Sequence, residues 1–114
     1  EPPTRLERRL AQRALSAVGL AERRGEPWQA LSYGQRRLAL IARALVGSPE
    51  ALLLDEPLTG LDAPARAWMR ALLSSLAREG LQLIVAVHHR EDLVPEVTHV
   101  LRLAKGRASA STRR

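Results

Sequence analysis

Apolar positions follow a helical period in three stretches of the chain and contract into short continuous runs in three others. Leu6, Leu10, Ala14 and Val18 share one face of a run from Arg5 to Val18, after the turn-forming Pro2-Pro3-Thr4. Arg5, Arg9 and Arg13 add a charged stripe, the pattern of a solvated face or one that meets an acidic partner. Gly19 and then Gly25-Glu26-Pro27 close this region with loop chemistry. Leu38, Ile41, Ala42 and Leu45 fall at i, i+3, i+4 and i+7, predicting a helix from Tyr33 to Val46 capped by Ser32 and stopped by Gly47-Ser48-Pro49. A third helix is expected over Ala65 to Arg78, with Trp68, Leu72, Leu73 and Leu76 facing inward and Gly80 at its end.

The continuous apolar runs are Ala51 to Leu54, Leu81 to Val87 and Val97 to Leu103. The first, bounded by turn residues on both sides, suits a strand buried on both faces. Residues 57–64 form a loop, 90–94 a short helical turn before Pro95, and 105–114 a disordered basic tail with nothing apolar to bury. Strands alternating with helices of ten or more residues define the fold class as α/β, parallel strands flanked by helices.

Composition narrows the picture only a little. In 114 residues, 46% hydrophobic and 26% charged, there is room for one small domain whose core is built from Leu, Val, Ile and Ala, because aromatics make up only 3%. The net charge of +6 rests on arginine, since Lys105 is the only lysine. The arginines are scattered along the chain, a distribution that fits compositional bias better than a nucleic-acid-binding face. With no cysteine there is neither a disulfide framework nor a thiolate metal site. No apolar run approaches the roughly 20 residues that span a bilayer, and no signal-peptide pattern is found. The expected location is cytoplasmic.

Candidate chemistry gathers where the strands end. Ligands of parallel α/β sheets bind beyond the carboxyl ends of the strands. Asp55 and Glu56 follow the first strand directly, and His88 follows the second. Neighbours on an extended backbone point in different directions, so one carboxylate can bind Mg²⁺ while the other orients and deprotonates a water. An acidic pair before Pro57 also serves simply to end a strand. The Ser32-to-Gly34 turn opens a helix whose free N–H groups and dipole attract an anion.

Four stretches in this order, Leu31-Ser32-Tyr33-Gly34-Gln35, Leu52-Leu53-Leu54-Asp55-Glu56-Pro57, Gly60-Leu61-Asp62 and Val87-His88, resemble the signature motif, Walker B strand, D-loop and switch histidine of the ATP-binding-cassette (ABC) ATPases. The likeness runs from about Trp28 to Arg102. It implies the C-terminal portion of a P-loop NTPase domain, with residues 1–30 ending a helical subdomain and residues 31–104 carrying the motifs of the ATPase core. It further implies that Asp55 holds the magnesium shell, that Glu56 is the general base for water attack on the γ-phosphate of ATP, and that His88 senses that phosphate. Ser32, Tyr33, Gly34 and Gln35 would meet the nucleotide of an opposing subunit, and Asp62 would couple the two sites. Tyr33 departs from the family's usual glycine, and Val87 from its usual Thr or Ser. His89 is a second candidate for the switch, whereas His99 reads as structural. The aromatic in the signature, the run from Asp55 to Asp62, the paired histidines and Thr98-His99 resemble, more finely, the double-cassette molybdenum-transport ATP-binding and photorepair proteins.

No Gly-x-x-x-x-Gly-Lys-Ser/Thr occurs in these residues, so the Walker A half that would cradle the phosphates is absent from them. ATP and Mg²⁺ binding by these residues alone is therefore expected to be weak or absent, and the chain alone inactive. The resemblance implies a second nucleotide-binding domain as dimer partner and a membrane transporter subunit, with the chain peripheral at the inner face of the cell membrane. The resemblance also sets the phosphate-loop strand between the histidine-bearing strand and the next, so those two strands should show unpaired edges and promote self-association. Two alternatives are a cassette ATPase of DNA repair or chromosome maintenance and a non-catalytic regulatory cassette. The first usually has a coiled coil ahead of the signature, and residues before Leu31 carry no sustained heptads. Glu56 argues against the second.

Overall fold

Thr4 starts the first helix by reciprocal capping. Its hydroxyl accepts from the Glu7 amide at 3.1 Å, and the Glu7 carboxylate accepts from the Thr4 amide at 2.7 Å. The computed structural model describes residues 2–113; Glu1 and Arg114, the outermost residues of the segments expected at 1–30 and 105–114, lie outside the described residues. Helix α1 (Arg5–Ala17) buries only its C-terminal part, Ala14 and, just beyond, Val18, whereas Leu6 is exposed. Two 3-10 turns at Ala21–Arg23 and Trp28–Ala30 lead to α2 (Tyr33–Leu45), which packs on α1 and buries Leu38, Ile41 and Ala42. Strand β1 (Ala51–Asp55), α3 (Ala63–Arg78) and β2 (Gln82–Ala86) follow as a β–α–β unit.

β1 and β2 pair in parallel, from Ala51 opposite Gln82 to Asp55 opposite Ala86. Leu52, Leu54, Leu83 and Val85 turn one face of this pair toward the core. The other face differs from the expectation of burial on both sides. Leu53 is 70% exposed and Ile84 54%, and among the described residues no element covers them. A two-stranded sheet with one helical layer has only one protected face.

The core is one contiguous cluster drawn from α1, α2, β1, the loop after it and α3. Within α3 the inward face contains Leu72, Leu73 and Leu76 as expected, with Met69 rather than Trp68 completing it. Met69 is 1% exposed and Trp68 53%. The indole instead lies over Gly19, and its N–H donates to the Val18 carbonyl at 3.3 Å. Gly19 has φ +79°, and a Cβ there would come within 2.5 Å of the Trp68 ring. Position 19 thus needs glycine for its backbone and for the approach of the indole.

The third apolar run forms β3 (His99–Ala104), but it joins neither β1 nor β2 among the described residues. It pairs antiparallel with β4 (Arg107–Thr112), which occupies the stretch expected to be a disordered tail. Lys105 (φ 51°) and Gly106 (φ 74°) make the two-residue, left-handed turn that matches strand twist in tight hairpins. β4 is exposed throughout, so backbone pairing orders it without the burial that its composition lacks. No helix among the described residues is long and apolar enough to cross a membrane.

Gly19→Ala is expected to cost at least about 2 kcal/mol, from left-handed backbone strain plus the indole clash. A urea midpoint within error of the parent would show that the Trp68 contact is not formed. The edges of β2 and β3 left unpaired among the described residues and the open face at Leu53 and Ile84 should make the 114-residue chain self-associate. Sedimentation velocity should show mean mass rising with concentration, and a single monomeric species throughout would count against it.

Candidate functional site

The parallel register sets the geometry at the strand ends. Because Asp55 lies opposite Ala86, the next residues, Glu56 and Val87, leave their strands side by side, and the Glu56 amide donates to the Ala86 carbonyl at 2.8 Å. Glu56 then turns into the left-handed region at φ 50°, which is unfavourable by about 1–2 kcal/mol for a residue with a Cβ. Its carbonyl accepts from the Thr59 amide at 3.2 Å and from the Arg37 guanidinium at 2.5 Å. These bonds hold the turn in place. Its carboxylate, mostly buried, is in contact with Nε2 of the exposed His88 ring.

Glu56 and His88 line one cleft of about 280 Å³, together with His89, Thr59, Gly60 and Arg66. Arg66 donates to the Leu58 carbonyl at 3.0 Å and pairs with Asp92, fixing the far wall. Both histidines therefore reach the cleft, but only His88 touches the carboxylate. His99 lies away from it on β3, with its Nδ1 near the Thr98 hydroxyl at 2.9 Å.

A second cleft of about 300 Å³ is lined by Ser32, Gly34, Gln35 and Asp62, with Trp68 and Met69 among its apolar walls. Here the candidate residues have local duties as well. The Ser32 hydroxyl accepts from the Gln35 amide at 3.1 Å, and the Gln35 side chain accepts from the Ser32 amide at 2.9 Å. This capping box leaves the Tyr33 and Gly34 amides at the start of α2 without an intrahelical acceptor. A Cβ on Gly34 would lie 3.3 Å from the Ala65 methyl group, so the first turns of α2 and α3 approach closely here. Asp62 caps α3, its carboxylate accepting from the Ala65 amide at 2.9 Å.

Tyr33 belongs to neither lining. Its ring sits against Gly60, where a Cβ would come within 3.1 Å, and its hydroxyl accepts from Arg37 at 2.8 Å. Asp55 stands apart as well. It lies on the open face of β1 with Leu53, exposed, and its carboxylate has no hydrogen bond or ion pair among the described residues. A free carboxylate one residue before Glu56 is a suitable ligand for a hydrated Mg²⁺. No group of three or more His, Asp or Glu side chains gathers around it among the described residues, so the rest of such a shell would come from water and phosphate oxygens.

Five arginines escaped the reading of the sequence. Arg36, Arg37, Arg66, Arg70 and Arg113 each donate to at least one backbone carbonyl of a connecting segment, so these five among the scattered arginines tie such segments down. Their spacing from any motif gave no signal, because the acceptors are backbone atoms.

A parallel β–α–β unit with an acidic pair at one strand end, a histidine at the next and a capped helix start beside them defines part of an ABC-type nucleotide-binding domain. The family model described as "ABC transporter" matches residues 4–59. The ABC transporter ATP-binding protein ModF of Escherichia coli K12 is 44% identical over 97 residues, 83% of this chain and 20% of that protein. The aliphatic sulfonates import ATP-binding protein SsuB of the same strain is 44% identical over 98 residues, 85% of this chain and 38% of its own length. Among solved structures, a metal-chelate type ABC transporter in an inward-facing conformation superposes with TM-score 0.89 at 29% identity, covering 97% of this chain and 45% of that one. The ABC transporter component cbiO1 of Clostridium perfringens gives TM-score 0.85, also at 29% identity. The chain belongs to the ABC ATPase family and corresponds to part of its nucleotide-binding domain. It spans between a fifth and two fifths of the curated relatives it matches.

Removing the α3 cap tests whether Asp62 is structurally engaged as described. Asp62→Ala should lower stability by about 1 kcal/mol and Asp62→Asn by less, read from urea midpoints. An unchanged midpoint in the alanine variant would show that the cap does not form.

Proposed function

We propose that this chain supplies the base, the phosphate-sensing histidine and the signature helix of a dimeric cassette that hydrolyses ATP to drive a membrane transporter. The observation that carries the reading is the contact of Glu56 with His88 in a cleft at the carboxyl ends of two parallel strands. Residues 1–30 would end the helical subdomain and residues 31–104 would belong to the catalytic core. A molybdate-related cargo follows from the motif resemblance alone, since ModF and the aliphatic sulfonates import protein SsuB are each 44% identical to this chain.

The chemistry assigned to each residue follows from its surroundings. Glu56 has one carboxylate oxygen on His88, which leaves the other to accept a proton from an attacking water. His88, exposed and hinged at the end of β2, can turn its ring from the carboxylate to a phosphate oxygen. Asp55 would hold Mg²⁺, whose charge offsets that of the phosphates when it is bound. The Tyr33 and Gly34 amides would face the nucleotide of the opposing subunit, adding the positive end of α2 to its phosphate charge. Positioning and electrostatics of this kind account for most of phosphoryl-transfer catalysis.

In a cassette assembled from this chain and a phosphate-loop portion, Glu56→Gln should lower ATP turnover by about 10²–10⁴-fold, because an amide cannot take the proton. ATP affinity should stay within about threefold, since the isostere keeps the shape of the cleft and removes no phosphate ligand. Turnover in the glutamine variant equal to that of the parent would refute the assignment of the base.

A further inference from the structure

We infer that Arg37, set by Tyr33, is a positioning residue for Glu56. The inference rests on the proposed role of Glu56 as base, but the contacts that carry it stand on their own. Glu56 is one of only three described non-glycine residues with a left-handed backbone, and it is the one at the carboxyl ends of β1 and β2. Such a conformation persists only where its surroundings over-determine it. Three hydrogen bonds do so here: its amide to the Ala86 carbonyl, the Thr59 amide to its carbonyl, and the Arg37 guanidinium to the same carbonyl. Only the last reaches outside the loop and its neighbouring strand.

Arg37 lies one turn along α2 from Tyr33, so the two side chains share a face of the helix. One guanidinium nitrogen donates to the Tyr33 hydroxyl at 2.8 Å and another to the Glu56 carbonyl at 2.5 Å. The guanidinium carbon lies 5.5 Å from the centroid of the Tyr33 ring, within cation–π range. The ring in turn rests on Gly60, whose φ of +79° and lack of a side chain admit it at the end of the same loop. The loop from Glu56 to Gly60 is therefore gripped at both ends by one helix, by Arg37 at its start and by the Tyr33 ring at its finish. A glycine at position 33 would remove both the ring on Gly60 and the hydroxyl on Arg37. In a chain with tyrosine there, the direction of the Glu56 carboxylate is set from the start of α2, the segment proposed to meet the opposing nucleotide.

Amide hydrogen exchange on the chain itself tests the tie without any nucleotide. Arg37→Ala should speed exchange at Glu56 and Thr59 about tenfold, the effect of losing one charge-assisted hydrogen bond, while amides of α3 around Leu72 and Leu73 keep the parent rates. Tyr33→Phe, which keeps the ring on Gly60, should give a smaller change of about threefold, and Arg37→Lys should partly restore the parent rate. Unchanged exchange at Glu56 and Thr59, or equal acceleration throughout the chain, would overturn the inference. In the assembled cassette, Arg37→Ala should lower kcat about tenfold with the KM for ATP within twofold, since it displaces the base and touches no nucleotide group. A parent cassette without ATP turnover would refute the proposed function and leave the exchange result standing. A parent that turns over ATP, with an Arg37→Ala variant of equal kcat, would refute the positioning role alone.

Discussion

The parallel register of β1 and β2 is the constraint on which the site depends. Side chains leave adjacent parallel strands in step, so a pairing that puts Asp55 opposite Ala86 brings Glu56 and His88 out at the same end and at nearly the same height. A slip of one residue would send Leu52 and Leu54 to the open face and separate the carboxylate from the imidazole. The same hydrophobic alternation that turns Leu52, Leu54, Leu83 and Val85 toward the core therefore fixes where the carboxylate and the imidazole emerge. Core and site are two readings of one register.

The rest of the structure serves to hold loops at the ends of those strands. Helices α2 and α3 begin with side-chain caps at Ser32 and Asp62, and their first turns meet at Gly34 and Ala65. Loop carbonyls that no strand can satisfy are taken by arginines from the two helices. A guanidinium suits this duty because several donors in one planar group can reach two acceptors at once. Arg70 bridges Glu91 and Leu93 in this way, and Arg37 bridges Tyr33 and Glu56.

Motif residues in this chain carry structural loads beside the chemical ones proposed for them. Gly34 admits α3, Gln35 and Ser32 complete a capping box, Asp62 caps the next helix, and Gly60 admits the Tyr33 ring. Substitutions at these positions will therefore mix folding with function, and changes that preserve shape are the informative ones. Tyr33 is the exception to the usual glycine of the signature, and the structure gives it a place rather than a vacancy to fill: ring on Gly60, hydroxyl on Arg37.

Local chemistry made much of the chain legible before any coordinates. The helical run from Arg5, the cap at Ser32, the apolar stripe of α2, the strands at 51–54 and 81–87 and the acidic pair followed by a histidine are encoded in short-range patterns, since capping and periodicity need only near neighbours. Partner choice was not encoded there. That α3 turns Met69 inward and lays Trp68 over Gly19 follows from what α1 presents to it, and a stripe four residues wide does not reveal that. The open face at Leu53 and Ile84 depends on which elements are present to cover it. Residues 107–112 looked too polar to order, yet a Lys105-Gly106 turn let β3 template them through backbone bonds, which hydrophobicity does not measure. The sequence by itself determined the elements and the candidate residues, because those depend on side chains near one another along the chain. Only the tertiary structure decided which carbonyls the arginines would meet, because those acceptors come into reach only once the loops are folded.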